Sequence, residues 1–233
     1  MDAVPPNSRL YGPSLGFLAG YVDTLGFVAL FGLFTAHVTG NFVMIGISLA
    51  DHSKMSILLK FLAFPAFILG IAITRLMVLS VERSKGPALT YAFVMQWLLL
   101  AGFMFFGCLA EPIGKDVSDM AMASGLLGTA AMGVHSATSR LLLAHLAPTS
   151  MMTGNVTQMV LDTVDVLRGM SDGATRARCV KFLWPLVGFA IGCIAAAFAY
   201  MAYGFAALAL PLIILGSLIV VEHRTARATA LAK

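Results

Sequence analysis

Charge is nearly absent from long stretches of this chain. Apolar runs occupy Ser14–Phe34, Met55–Leu79, Pro87–Ala110, Ser118–Val134, Cys179–Met201 and Gly204–Val221. Most reach or approach the roughly 20 apolar residues with which a helix crosses a bilayer. Two further apolar segments are shorter: ten residues from Asn41 to Ala50, and seven from Asn155 to Leu161 before Asp162. Neither is long enough to cross alone, so each is expected to form a half-helix or re-entrant element, entered through a glycine break. The pattern predicts an all-α, polytopic transmembrane bundle of about six crossings plus two broken half-helices, in a single membrane domain over 1–233.

The chain also repeats itself. AHVTGNFVMIGISLAD returns as SMMTGNVTQMVLDTVD, with Thr39, Gly40 and Asn41 facing Thr153, Gly154 and Asn155 at an offset of 153 − 39 = 114. Upstream, Gly20 faces Gly133 (133 − 20 = 113), and downstream KFLAFPAFILGIA faces KFLWPLVGFAIGC, with Lys60 opposite Lys181 (181 − 60 = 121). Three collinear landmarks define a duplication, with a first repeat over 14–110 and a second over 118–222. If the short segments do not cross, each half crosses three times and the second half is inverted relative to the first.

Composition agrees with a membrane class. The chain is 59% hydrophobic and 11% charged, against about 45–50% and about 25% in soluble domains. The first run contains Asp23 and no convincing small-x-small cleavage site, so it is read as a retained span and not as a signal peptide. Basic residues flank spans. Arg9, Arg75, Arg83, Lys85, Arg168, Arg176, Arg178, Lys181, Arg224, Arg227 and Lys233 fall on the inner side of the inverted arrangement, and Lys54, Lys60 and Lys115 on the outer. This 11 to 3 bias places both termini in the cytoplasm. A parallel arrangement with four crossings per half scores the same, so the brevity of the TGN segments decides between them. No basic block is dense enough for nucleic acid. Cys108, Cys179 and Cys193 have no metal-ligand spacing, and no cofactor motif is present.

GYVDTLGFVALFGLFTAHVTGN and MGVHSATSRLLLAHLAPTSMMTGNVTQ resemble the two signature regions of the YoaK family (DUF1275), bacterial inner-membrane proteins of unknown function. The resemblance covers nearly the whole chain and implies a multi-spanning protein of the bacterial inner (plasma) membrane without an assigned substrate. Where the family commonly carries Gln-Asn, this chain has His135-Ser136.

The polar residues inside the apolar runs suggest chemistry. A broken helix in hydrocarbon leaves backbone groups that need partners, and paired broken helices in inverted repeats are a recurring transporter architecture. Thr39, Gly40, Asn41, Thr153, Gly154, Asn155 and Gln158 are therefore expected to line a small polar midplane site. The competing expectation is purely structural, with Asn41 and Asn155 bonding each other. Asp23 lies about ten residues into the first run, where an unpaired carboxylate is costly. His37, His135 and Arg140 are its candidate partners, and Ser136 adjoins them. Asp162 follows Asn155 by two helical turns and is expected to face the same cavity. The expected activity is movement of a small molecule or ion through the lipid bilayer, with proton or ion coupling. The alternatives are a scaffold or sensor and, with no HExxH or GxSxG motif to favour it, an intramembrane enzyme. A homodimer would suit so thin a bundle.

Overall fold

The computed structural model describes residues 8–50, 56–84, 86–150, 152–169 and 173–231. Asp51, His52, Lys54, Lys85 and Lys233 lie outside the described residues. Among the described residues the regular structure is helical: α1 (Ser8–Ala29), α2 (Gly40–Ala50), α3 (Ile57–Arg83), α4 (Ala88–Ala110), α5 (Asp119–Leu141), α6 (Met152–Leu167), α7 (Gly173–Tyr203) and α8 (Ala209–Leu231), with a 3-10 turn at Gly204–Leu208 between the last two. This is a helical membrane bundle. Ile57–Arg83, Ala88–Ala110 and the stretch Gly173–Thr225, which joins α7 to α8, are long and apolar enough to cross a membrane. α1 and α5 have 22 and 23 residues, about 33 Å at 1.5 Å per residue. They are less uniformly apolar because they pack centrally and face protein.

Helix directions follow from the contacts. Gly16 and Gly20 of α1 meet Pro185 and Phe189 of α7, while Gly188 and Gly192 meet Pro13 and Phe17, so the two helices run the same way. Leu59 of α3 lies beside Gly125 of α5, and Gly70 beside Ala130 and Gly133, so these two also run together. α4 opposes α5, since Phe103 pairs with Ser124 and Gln96 with His135. α8 opposes α1, with Glu222 at Tyr11 and Ala207 at Tyr21. It also opposes α4, with Leu212 at Trp97 and Phe205 at Gly107. Thus α1, α4 and α7 point one way and α3, α5 and α8 the other. The start of α1 marks one end of the bundle, called here the near end, and the start of α3 marks the far end.

The α1–α7 and α3–α5 interfaces are built alike. A Cβ on Gly20 would stand 2.2 Å from the Phe189 carbonyl oxygen, and one on Gly192 2.2 Å from that of Phe17. The corresponding distances are 2.3 Å for Gly133 to Phe67 and 2.3 Å for Gly70 to Ala130. Backbones touch at both crossings because no side chain intervenes, the small-residue packing that stabilises helix pairs in lipid.

The core centres on α1. Leu18, Val22 and Leu25 are fully buried against Phe93, Leu100, Phe103, Phe205, Leu208 and Leu215. Outward, α3 exposes Phe61, Leu69 and Leu76, and α7 exposes Trp184, Ile194 and Phe198. Apolar faces of this extent suit lipid and not water. Pro211 has no N–H to offer the Ala207 carbonyl four residues back, and the Tyr21 hydroxyl donates to that carbonyl at 2.9 Å.

Candidate functional site

Each short helix follows an irregular segment that folds back into the bundle. After α1, Phe31 and Gly32 take φ values of 55° and 74° and reverse the chain. Phe34 then lies against Phe27, Thr35 against Gly26, and Ala36 and His37 against Asp23. That is about 9 Å back along α1. α2 begins at this depth and returns to the far end beside α3, with Phe42 against Phe64. The segment enters and leaves by the same end, as a re-entrant element must.

Asp23 organises the fold-back. Its Oδ1 accepts from the Ala36 N–H at 2.7 Å, the Thr35 hydroxyl at 3.3 Å and the His37 N–H at 3.4 Å. Its Oδ2 meets His37 Nδ1 at 2.6 Å. The carboxylate is buried, whereas the His37 side chain keeps 35% of its surface exposed and sets its ring edge against Phe189 of α7. A charge-assisted network of this kind resolves the cost of a carboxylate at that depth. Of the three partners expected for Asp23, His37 is the one it bonds.

The second fold-back, between α5 and α6, enters from the near end and has matching contacts. Ser136, which stands where Asp23 does (136 − 23 = 113), accepts from the Ser150 hydroxyl at 3.3 Å. The Thr149 N–H reaches Ser139 Oγ at 3.4 Å, and Thr149 Oγ1 lies 2.9 Å from His135 Nε2. His135 Nδ1 in turn faces Gln96 Nε2 at 3.2 Å.

The TGN motifs do something other than the expected task. Asn41 Oδ1 accepts from the Phe34 N–H at 2.9 Å, and its Nδ2 donates to the Phe34 carbonyl at 2.8 Å. Asn155 Nδ2 donates to the Pro148 carbonyl at 2.6 Å, also seven residues back. Both offsets are 114 (148 − 34 and 155 − 41). Each asparagine staples its own fold-back, and the two do not bond each other. α2 packs on α3 and α6 on α7, with no contact between α2 and α6 among the described residues, so the TGN segments do not enclose a common midplane site. Gly40 is the first residue of α2 and Gly154 the third of α6, and neither has a positive φ. The reversal lies upstream, because the glycines sit inside helix and the fold-backs precede them. Thr39, Thr153 and Gly154 point outward.

α6 runs to Leu167, five residues beyond the expected stop at Asp162. Arg178 of α7 explains the extension: its Nε and Nη2 reach the two carboxylate oxygens at 2.9 Å each, and Gln158 Nε2 donates at 3.0 Å. The guanidinium holds the Asp162 carboxyl below the usual carboxylate range. Asp162 and Gln158 thus tie α6 to α7 and do not join Asp23 in one cavity. At sixteen residues α6 is still too short to span. Lys60, expected as an outer-side charge, is 3% exposed. Its Nζ donates to the Phe31 carbonyl at 2.7 Å and to Ser56 Oγ, satisfying the turn that reverses the chain after α1. A cleft of ≈ 430 Å³ opens at the far end between Ser56, Leu59, Lys115, Asp116 and Met122, and no sequence-predicted site residue lines it.

Comparison with known proteins fits this architecture. The family model "Protein of unknown function (DUF1275)" matches residues 12–221, from the first turns of α1 to the middle of α8. The chain belongs to the DUF1275 family. It is also similar to the UPF0700 transmembrane protein YoaK of Bacillus subtilis (strain 168), at 31% identity over 137 residues. That match covers 55% of this chain and 60% of the relative. No solved structure matches the DUF1275 chain.

Gln96, Thr149, Lys60 and Arg178 are the polar participants that sequence reasoning missed. Gln96 had a signal: it is the one carboxamide in the run Pro87–Ala110.

Proposed function

We propose that this protein is a membrane transport protein, a secondary carrier or channel for a small solute, in which the Asp23–His37 pair carries the coupling proton or ion. The observation that carries the reading is a buried carboxylate that holds a re-entrant segment and lies 2.6 Å from Nδ1 of a partly exposed imidazole. Protonating Asp23 removes the charge that three backbone and side-chain donors of that segment converge on, so proton binding and loosening of the fold-back are one event. Two halves related by inversion, 14–110 and 118–222, with fold-backs entering from opposite ends, are the arrangement that alternating access uses. Six crossings would leave both termini on one side, and the 11 to 3 bias of basic residues favours the cytoplasmic side of a bacterial inner membrane for them.

Proteoliposomes loaded with a pH-sensitive dye test this. Under a potassium–valinomycin diffusion potential, and with panels of small carboxylates, amino acids and organic cations, wild-type protein should admit protons with at least one solute class. Asp23→Asn should abolish that flux while eluting as folded protein. A scaffold is favoured by the two asparagines being spent on their own loops, and it predicts no flux with any solute.

A further inference from the structure

Gln96, His135 and Thr149 form a second polar group, at the near end of the bundle and apart from Asp23. All three are buried, and they come from α4, α5 and the second fold-back. Gln96 Nε2 donates to His135 Nδ1, which leaves the His135 Nε2–H to donate to Thr149 Oγ1. Gln96 Oε1 then has no hydrogen-bond partner. Turning the amide over does not help: Oε1 would meet the imidazole and the two Nε2–H groups would lose theirs. Thr90 Oγ1, six residues nearer the start of α4, is likewise buried and without a partner.

An unmet amide oxygen in hydrocarbon is expensive enough that native structures rarely keep one. The fold does not require it. Val22 occupies the place of His135 in the first half (135 − 113 = 22) and is fully buried there, so an apolar residue serves the same packing position. The polar trio is an addition to the architecture.

We propose that Gln96, His135 and Thr149 form a binding site for a small uncharged hydrogen-bond donor, which bonds Gln96 Oε1. The donor is a resident water or the amide or hydroxyl end of a neutral solute. This goes beyond the transport reading, because a resident water would sit there in a scaffold too.

X-ray radiolytic footprinting of the purified protein in detergent decides the matter, since buried side chains are oxidised only beside bound water. His135 should be modified several-fold faster than Phe103, which is equally buried among apolar groups. Gln96→Leu should bring His135 down to the Phe103 rate. Acetamide and glycerol separate the sources: protection of His135 beyond the general fall in rate that these radical scavengers impose on exposed side chains assigns a solute site, and no excess protection assigns a resident water. A His135 rate equal to that of Phe103 in wild type overturns the proposal, as does a fast rate that survives Gln96→Leu. The wild-type comparison stands on its own if the variant does not fold.

Discussion

The side-chain amide of Asn41 lies across the backbone of Phe34, taking its N–H at 2.9 Å and giving to its carbonyl at 2.8 Å. An asparagine side chain here replaces a neighbouring strand, closing a turn of seven residues at a depth where water is scarce. The equivalent Asn155 makes one such bond, because its opposite number is Pro148, which has no N–H.

Unequal losses follow for the two asparagines. Asn41→Ala strands both Phe34 backbone groups and should cost about 2–4 kcal/mol, whereas Asn155→Ala strands one carbonyl and should cost about 1–2 kcal/mol. Thermal unfolding in one detergent, read by intrinsic fluorescence, ranks them. Equal losses would show that the Phe34 N–H finds another acceptor.

Tyr21→Phe should destabilise by about 1–3 kcal/mol, since the Ala207 carbonyl then loses its side-chain donor inside the bundle. Restoring the helical N–H with Pro211→Ala should remove most of that loss. A double-mutant cycle on unfolding midpoints reads the coupling, and additive effects would dissociate the hydroxyl from the proline.

The glycine of the second TGN motif should differ sharply from those at the helix crossings. Nothing lies within 4 Å of a Cβ built on Gly154, so Gly154→Ala should be neutral or stabilising by up to about 1 kcal/mol through helix propensity. Gly20→Ala and Gly133→Ala drive a methyl into a backbone carbonyl and should abolish monodisperse protein. Yield and elution profile distinguish these outcomes, and a damaging Gly154→Ala would reveal a contact made by an external partner.

Single cysteines at Ser84, Asp116 and Arg168, all exposed, report the arrangement in the membrane when placed in a cysteine-free background. Membrane-impermeant maleimide should label Ser84→Cys and Arg168→Cys from the same side and Asp116→Cys from the other. Four crossings per half would instead group Asp116 with Arg168.

Span positions were readable because lipid-facing helices such as α3 and α7 must be apolar over most of their length. The two short helices were readable for the same reason, since eleven and sixteen residues cannot cross. Gly20 and Gly133, aligned in the sequence, each sit at a backbone-to-backbone helix crossing. What stayed hidden was pairing across the bundle. Asp23 could be named as costly, but the choice of His37 over His135 depends on a reversal at Phe31 and Gly32. Phe31 is a residue type that seldom takes positive φ, so sequence gave no reason to expect it there. Lys60 looked like a flanking charge because a lysine bonded to a backbone carbonyl has no sequence partner to betray it. Asp162 looked like a cavity-facing carboxylate because its partner, Arg178, lies sixteen residues away on the next helix.

The crossings built on Gly20 with Gly192 and on Gly70 with Gly133 each join a helix of one half to a helix of the other. Severing the chain between Ala110 and Ser118 would therefore leave two fragments, each with its opening helix bereft of the surface it was shaped for. Co-expressed, they should reassemble across the cut; expressed singly, neither should persist.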